Sequence, residues 1–133
     1  MKKAFISFRY TGEDKAELKR IIPQLHESLE KAGYGVYSTI FDSDKFAEEN
    51  ISGKKIMQKA FQEIDSSDLI LFFVRSSDIS QGMLVELGYS LAKGKNLLLA
   101  IQKDIKESIF RRQIDQIIDF KDLEDLKGKL TKI

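Results

Sequence analysis

The sequence predicts an α/β domain over residues 1–133, built on a doubly wound five-stranded parallel sheet in the order 2-1-3-4-5 with helices on both faces. Three observations predict it. Short apolar runs alternate with amphipathic runs along the whole chain. The most apolar run, "LILFFV" (69–74), has no polar face, as a central strand covered on both sides requires. Two hydroxyl- and glycine-rich loops, "SFRYTGED" (7–14) and "RSSDISQGM" (75–83), each lead from a strand into a helix.

The elements follow in order. "KAFISF" (3–8) is the first strand. Thr11 is the expected N-cap of the next helix, with Glu13 and Asp14 favouring its positive end. From Lys15 to Lys31 the positions Leu18, Ile21, Ile22, Leu25 and Leu29 step by three and four. Pro23 should kink this helix or start a second one, and Gly33 closes it. "GYGVYST" (33–39) is the second strand, and residues 40–50 read as acidic and irregular. Ile56, Met57, Ala60, Phe61 and Ile64 fall at helical spacing. After the central strand come a helix over 82–93 and a strand over 96–101. "IKESIFRRQ" reads as a short helix, "QIIDF" as an edge strand and "KDLEDLKGKL" as the last helix.

Composition narrows the chemistry. Net charge is +1, from 22 basic and 21 acidic residues, which gives no long-range attraction to nucleic acid or anionic membrane. Cysteine is absent and His26 is the one histidine, so thiol chemistry is excluded and no metal centre is expected. No segment approaches the roughly 20 apolar residues of a membrane span, and the apolar run near Met1 is too short for a signal peptide. A soluble, cytoplasmic protein without a cofactor is expected. His26 reads as a surface residue, and Phe5, Phe8, Phe61, Phe72 and Phe73 as mostly core.

In the 2-1-3-4-5 order a ligand binds outside the carboxyl ends of the first and third strands. Both loops named above end there. Helix N-termini, Ser, Thr and Arg suit a phosphate or a sugar, although such residues also serve as ordinary caps. Tyr10 and Tyr37 can stack on a base. Glu86 stands alone among Met83, Leu84, Val85, Leu87 and Leu91, near a helix start whose dipole favours an ionised carboxylate. Such a carboxylate suits a glycosidic nucleophile. The competing reading is a surface glutamate paired with Lys93 or water. Asp65 and Asp68 look like element-end residues. Asp42-Ser43-Asp44 lacks the glycine and later glutamate of a calcium loop.

Three stretches, "KKAFISFRYTGED", "EIDSSDLILFFV" and "SQGMLVELGYSLAKGKNLLLAI", resemble the nucleoside 2-deoxyribosyltransferase superfamily, in order from about residue 3 to 102. The most specific part runs from Gly82 to Lys95. The resemblance implies a flavodoxin-like fold and places the family's glutamate nucleophile, which attacks the anomeric carbon, at Glu86. It also implies a homodimer or higher homo-oligomer in which a neighbouring subunit completes the pocket. Six residues before the glutamate, the transferases of the family have an aspartate that holds the sugar 5'-hydroxyl, whereas its monophosphate hydrolases have a serine. Here that residue is Ser80, whose hydroxyl can donate to a phosphate that an aspartate would repel. Ser108 is similar to a second phosphate-contacting serine, brought by the partner subunit, with Arg111 and Arg112 nearby. One position departs: where the family has an aspartate eight residues before Asp68, this chain has Ala60, so Asp65, Asp42 or Asp44 would have to substitute.

The expectation is therefore N-glycosidic cleavage of a nucleoside 5'-monophosphate. Glu86 is the nucleophile. Ser7, Arg9, Ser80, Gly82 and Ser108 surround the phosphate, and Tyr10, Tyr37 and Asp65 lie near base or sugar. Transfer of the deoxyribosyl group from a nucleoside to a second base is the alternative within the family. "FISFRYTGED" also resembles the opening of Toll/interleukin-receptor domains, which would make the protein an NAD-cleaving enzyme or a non-catalytic binding module.

Overall fold

The computed structural model describes residues 1–78 and 80–133. Strands β1 (Lys2–Phe8), β2 (Tyr34–Tyr37), β3 (Leu69–Val74), β4 (Leu97–Gln102) and β5 (Gln116–Phe120) form one parallel sheet in the order β2-β1-β3-β4-β5. The helices are α1 (Lys15–Lys31), α2 (Ser43–Glu48), α3 (Gly53–Ser66), α4 (Gln81–Ala92), α5 (Ile109–Gln113) and α6 (Leu123–Leu130).

Side-chain alternation along the strands divides the core in two. Ala4, Ile6, Phe8, Leu69, Leu71 and Phe73 pack beneath α1 and α6 with Leu18, Ile22, Leu25 and Leu126. Phe5, Ile70, Phe72, Leu99 and Ile101 pack on the other face against Ala60, Ile64, Met83, Leu87 and Phe110 from α3, α4 and α5. Ser7 shares its strand face with Phe5, so it is directed toward the α3 and α4 side. β3 is buried at all six positions, as its unbroken apolar run requires.

Four local expectations change. The N-cap of α1 is Asp14, whose carboxylate accepts from the backbone N–H groups of Ala16 at 2.9 Å and Glu17 at 3.3 Å; Thr11 belongs to the preceding loop. Pro23 does not end the helix, and α1 runs unbroken to Lys31. Its five apolar positions are all buried, and each such side chain contributes about 1.5–3 kcal/mol, enough to outweigh the backbone bond that proline removes. Residues 40–50 are ordered into a 3₁₀ turn (Thr39–Phe41) and α2. Asn50, at φ 51°, ends α2 in the left-handed conformation that asparagine tolerates better than most residues.

The fourth change is His26. It is 3% exposed, and its Nε2 lies 2.7 Å from the Ser38 hydroxyl, joining α1 to the end of β2. Of the five phenylalanines expected in the core, four are buried; Phe61 is half-buried, stacked on Tyr89 with ring centroids 4.1 Å apart. Among the described residues no helix is long and apolar enough to cross a membrane.

Burial holds the His26 imidazole down, to a pKa of about 4. The unfolded chain takes up this proton near pH 6.5 and the folded chain only near 4, so folding loses stability as pH falls through that window. The expected contribution is on the order of 2–3 kcal/mol. Thermal unfolding of wild type and His26→Gln, compared between pH 7 and 4, should show the wild type losing stability faster by that amount. Parallel curves would refute it.

Candidate functional site

A cavity of about 660 Å³ opens at the carboxyl ends of β1 and β3. Its floor and one rim come from Phe8, the last residue of β1, from Arg9, Tyr10 and Thr11, which follow it, and from Ser80, Gln81, Gly82, Met83 and Glu86 of the α4 entry. The opposite wall is built by the β2–α3 connection and α3: Thr39, Ser43, Phe46, Ala47, Asn50, Ile51, Ile56, Met57 and Ala60. One side is therefore polar and the other mostly apolar, as a ligand with a charged end and a flat end would require.

Glu86 lies on the buried stripe of α4 with Met83, Leu87 and Ser90. It is 9% exposed, and its Oε1 accepts a 2.6 Å hydrogen bond from the Ser7 hydroxyl. Lys93 does not reach it; that ammonium lies 3.9 Å from Asp65. The expectation that the helix dipole favours an ionised carboxylate is outweighed here by burial. Burial pushes the Glu86 carboxyl up to about 7, and the Ser7 hydrogen bond pulls only partly against it. Near neutrality the group exchanges between acid and carboxylate.

Ser80 is the N-cap of α4 and accepts from the Met83 N–H at 3.2 Å. Its oxygen is thus used as an acceptor while its proton remains to donate into the cavity. Gly82 follows in the first turn. A side chain there would meet only the end of Met57, at 4.0 Å.

Arg9 donates from Nη1 to Glu13 at 2.6 Å and lies 3.7 Å from Asp78. Gly12, at φ +83°, lies under this guanidinium: an added Cβ would stand 2.9 Å from Nη2. Its backbone calls for glycine, and the missing Cβ leaves the guanidinium room. Tyr10 is half open to solvent, with the Lys15 ammonium 3.7 Å from its ring centroid and bonded to its carbonyl.

Four of the expected site residues do not line the cavity: Ser7, expected at the phosphate, is 1% exposed and gives its hydroxyl proton to Glu86 instead, and Tyr37, Asp65 and Ser108 lie elsewhere. Tyr37 stacks on Phe5 and donates to Asp42 at 2.6 Å; burial first, then that bond, push its phenol well above the usual range. Asp65 accepts from the Tyr89 hydroxyl at 2.7 Å at the far end of α3. Ser108 caps α5, accepting from the Phe110 N–H at 3.1 Å. Of its neighbours, Arg111 is bonded to Asp119 and the Ile105 carbonyl, and Arg112 lies 3.7 Å from Glu107. Asp42 and Asp44 are also committed, to Tyr37 and Lys19. Ala60 lines the wall, and among the described lining residues Glu86 is the one carboxylate.

Sequence reasoning missed the apolar wall, because Phe46 and Ala47 lie in the segment read as irregular. The signal was present: Asp42, Ser43 and Asp44 form an acidic helix start, and Asn50 supplies a stop.

Comparison with known proteins agrees with this fold. Among solved structures, the CMP N-glycosidase BcmB of Clostridium botulinum superposes with a TM-score of 0.72 at 20% identity, covering 97% of each chain. A 2-deoxyribosyltransferase of Bacillus psychrosaccharolyticus gives 0.65 at 17% identity, covering 96% of this chain and 95% of its own. A conserved protein of Enterococcus faecalis V583 gives 0.64 at 15% identity, covering 99% of each. At these identities the likeness is one of fold. No functionally curated protein matches in sequence. The Toll/interleukin-receptor likeness finds no support among these relatives. The family model for nucleoside 2-deoxyribosyltransferase, however, matches residues 8–120, a span that includes Glu86 and every described lining residue of the cavity, and the chain belongs to the nucleoside 2-deoxyribosyltransferase family.

Proposed function

We propose that this protein hydrolyses the N-glycosidic bond of a nucleoside 5'-monophosphate, with Glu86 as nucleophile. The observation that carries the reading is the Glu86 carboxyl, buried in the cavity floor and held by Ser7, with the Ser80 hydroxyl at the same α4 entry. The resemblance to a CMP N-glycosidase in fold is consistent with it.

The chemistry follows from the positions. The Glu86 oxygen not bonded to Ser7 attacks C1' of the sugar. The C1'–N bond breaks, its electron pair leaves with the base, and a proton from water completes the free base. Water then attacks C1' of the glycosyl ester, releasing the sugar 5-phosphate and restoring Glu86. Ser80, Arg9 and the backbone at Gly82 hold the 5'-phosphate. Tyr10 lies against sugar or base, and Phe46, Ile51 and Met57 offer the base an apolar wall. Passing the sugar to a second base instead of water differs only in the acceptor.

Ser108 cannot serve the cavity of its own chain from the α5 cap. We place it in the site of a second copy, in a homodimer or larger homo-oligomer. Val85 and Leu91 on α4 and Ile109 on α5, each at least 40% exposed, are available to such a contact.

Three outcomes are expected. First, incubation with a nucleotide panel releases free base from a 5'-monophosphate, and Glu86→Ala lowers this by on the order of ten-thousandfold or more. A nucleophile must be ionised, so kcat/KM should rise with pH through about 7, where Glu86 loses its proton. Activity that survives Glu86→Ala would end the assignment. Second, Ser80→Asp should cut the preference for monophosphate over nucleoside by about tenfold or more, through repulsion of the phosphate. Equal cleavage of both by wild type would remove the basis for the Ser80 role. Adding a free acceptor base to the panel separates hydrolysis from transfer. Third, sedimentation should report at least a dimer, and Ser108→Ala should raise KM for the monophosphate without dissociating it. A monomer with full activity would overturn both statements.

A further inference from the structure

The loop after β1 and the loop after β3 are joined at one carboxylate. Glu13 Oε2 accepts from Arg9 Nη1 at 2.6 Å, while Glu13 Oε1 accepts from Arg75 Nε at 3.2 Å and Nη2 at 2.8 Å. Arg75 Nη1 is held in turn by Glu17 at 2.7 Å. These groups are partly shielded: Glu13 is 14% exposed, Arg9 26% and Arg75 25%. Arg9, Glu13, Arg75, Asp78 and Ser80 line a side crevice of about 20 Å³, and Arg9 and Ser80 also line the main cavity. The ion network thus stands directly behind the two side chains that face the cavity's polar end.

We propose that Glu13 is a positioning residue for substrate phosphate. It fixes the Arg9 guanidinium at the cavity rim and ties it to the loop that carries Ser80. The inference rests on the reading of Arg9 as a phosphate-binding residue. Three features favour it. An arginine side chain is rotamer-rich, so an immobilised guanidinium loses less entropy when a phosphate arrives. Gly12 leaves room for the Arg9 guanidinium where it stands, since an added Cβ would lie 2.9 Å from Nη2. Arg75 occupies the second Glu13 oxygen and offsets part of its charge, which Glu17, sharing Arg75, and Asp78, 3.7 Å from Arg9, leave only partly neutralised. Glu13 itself lines only the side crevice, not the main cavity, and therefore acts through Arg9.

The test separates positioning from general structural support. In a Glu86→Gln background, where turnover is blocked, ribose 5-phosphate is titrated and followed by amide NMR; this probe carries the phosphate without committing to a base. Adding Glu13→Gln, which keeps the shape and removes the charge, should weaken binding on the order of tenfold, as expected for a charge-assisted hydrogen bond placed wrongly. Adding Arg9→Met should weaken it at least as much. With Arg9→Met already present, Glu13→Gln should have no further effect, because its action passes through Arg9. Tighter binding on Glu13→Gln would mean that Glu13 masks Arg9 and would overturn the proposal. Unchanged binding, or a loss that persists without Arg9, would overturn it equally. If the Glu86→Gln protein binds no ribose 5-phosphate and Arg9→Met changes nothing, the phosphate site itself is misassigned, a result distinct from the failure of Glu13 alone.

Discussion

The structure turns on one hydrogen bond, from the Ser7 hydroxyl to the buried carboxyl of Glu86. A carboxyl group taken out of water must be bonded or neutral, and among the described residues this one has a single short partner. That partner comes from the neighbouring strand, 79 residues earlier in the chain. The bond is possible because β1 lies between β2 and β3, and because strand alternation turns Ser7 to the face that α4 covers. Sheet order, register and the chemical state of Glu86 are therefore one constraint.

Around that bond, several groups serve fold and site at once. Ser80 caps α4 through its oxygen and keeps its proton for the cavity. Met83 and Leu87 pack α4 on the sheet and thereby set the height at which Glu86 meets the cavity floor. The price of this economy is a carboxyl held near 7 by burial, between the neutral form that burial favours and the ionised form that the proposed nucleophile requires.

Much of this was legible in the residues. "LILFFV" could only be a strand covered on both faces, and with it at the centre the alternating elements left little choice of topology. Glu86 stood out because a single charge in an apolar helix turn needs a reason. Its partner did not stand out: nothing local to Ser7 announces a contact with residue 86. Residue type points to Tyr37, and the missing family aspartate at Ala60 to Asp65, but neither signal says that Asp42 and Tyr89 already hold them. His26 was readable and misread. It follows Ile22 by four and precedes Leu29 by three, on the buried stripe of α1, where a histidine needs a partner such as Ser38. The Glu13 bridge was invisible because it joins loops 62 residues apart.

The unequal walls of the cavity have a thermodynamic consequence. On the proposed reading, a base seated against Phe46, Ile51, Ile56 and Met57 would remove apolar surface from water, whereas a phosphate at Arg9 and Ser80 would exchange water for charged hydrogen bonds. The first process lowers the heat capacity of the complex. Association at this site should therefore grow steadily more exothermic on warming, with an opposing loss of entropy, so that affinity changes far less with temperature than either heat alone.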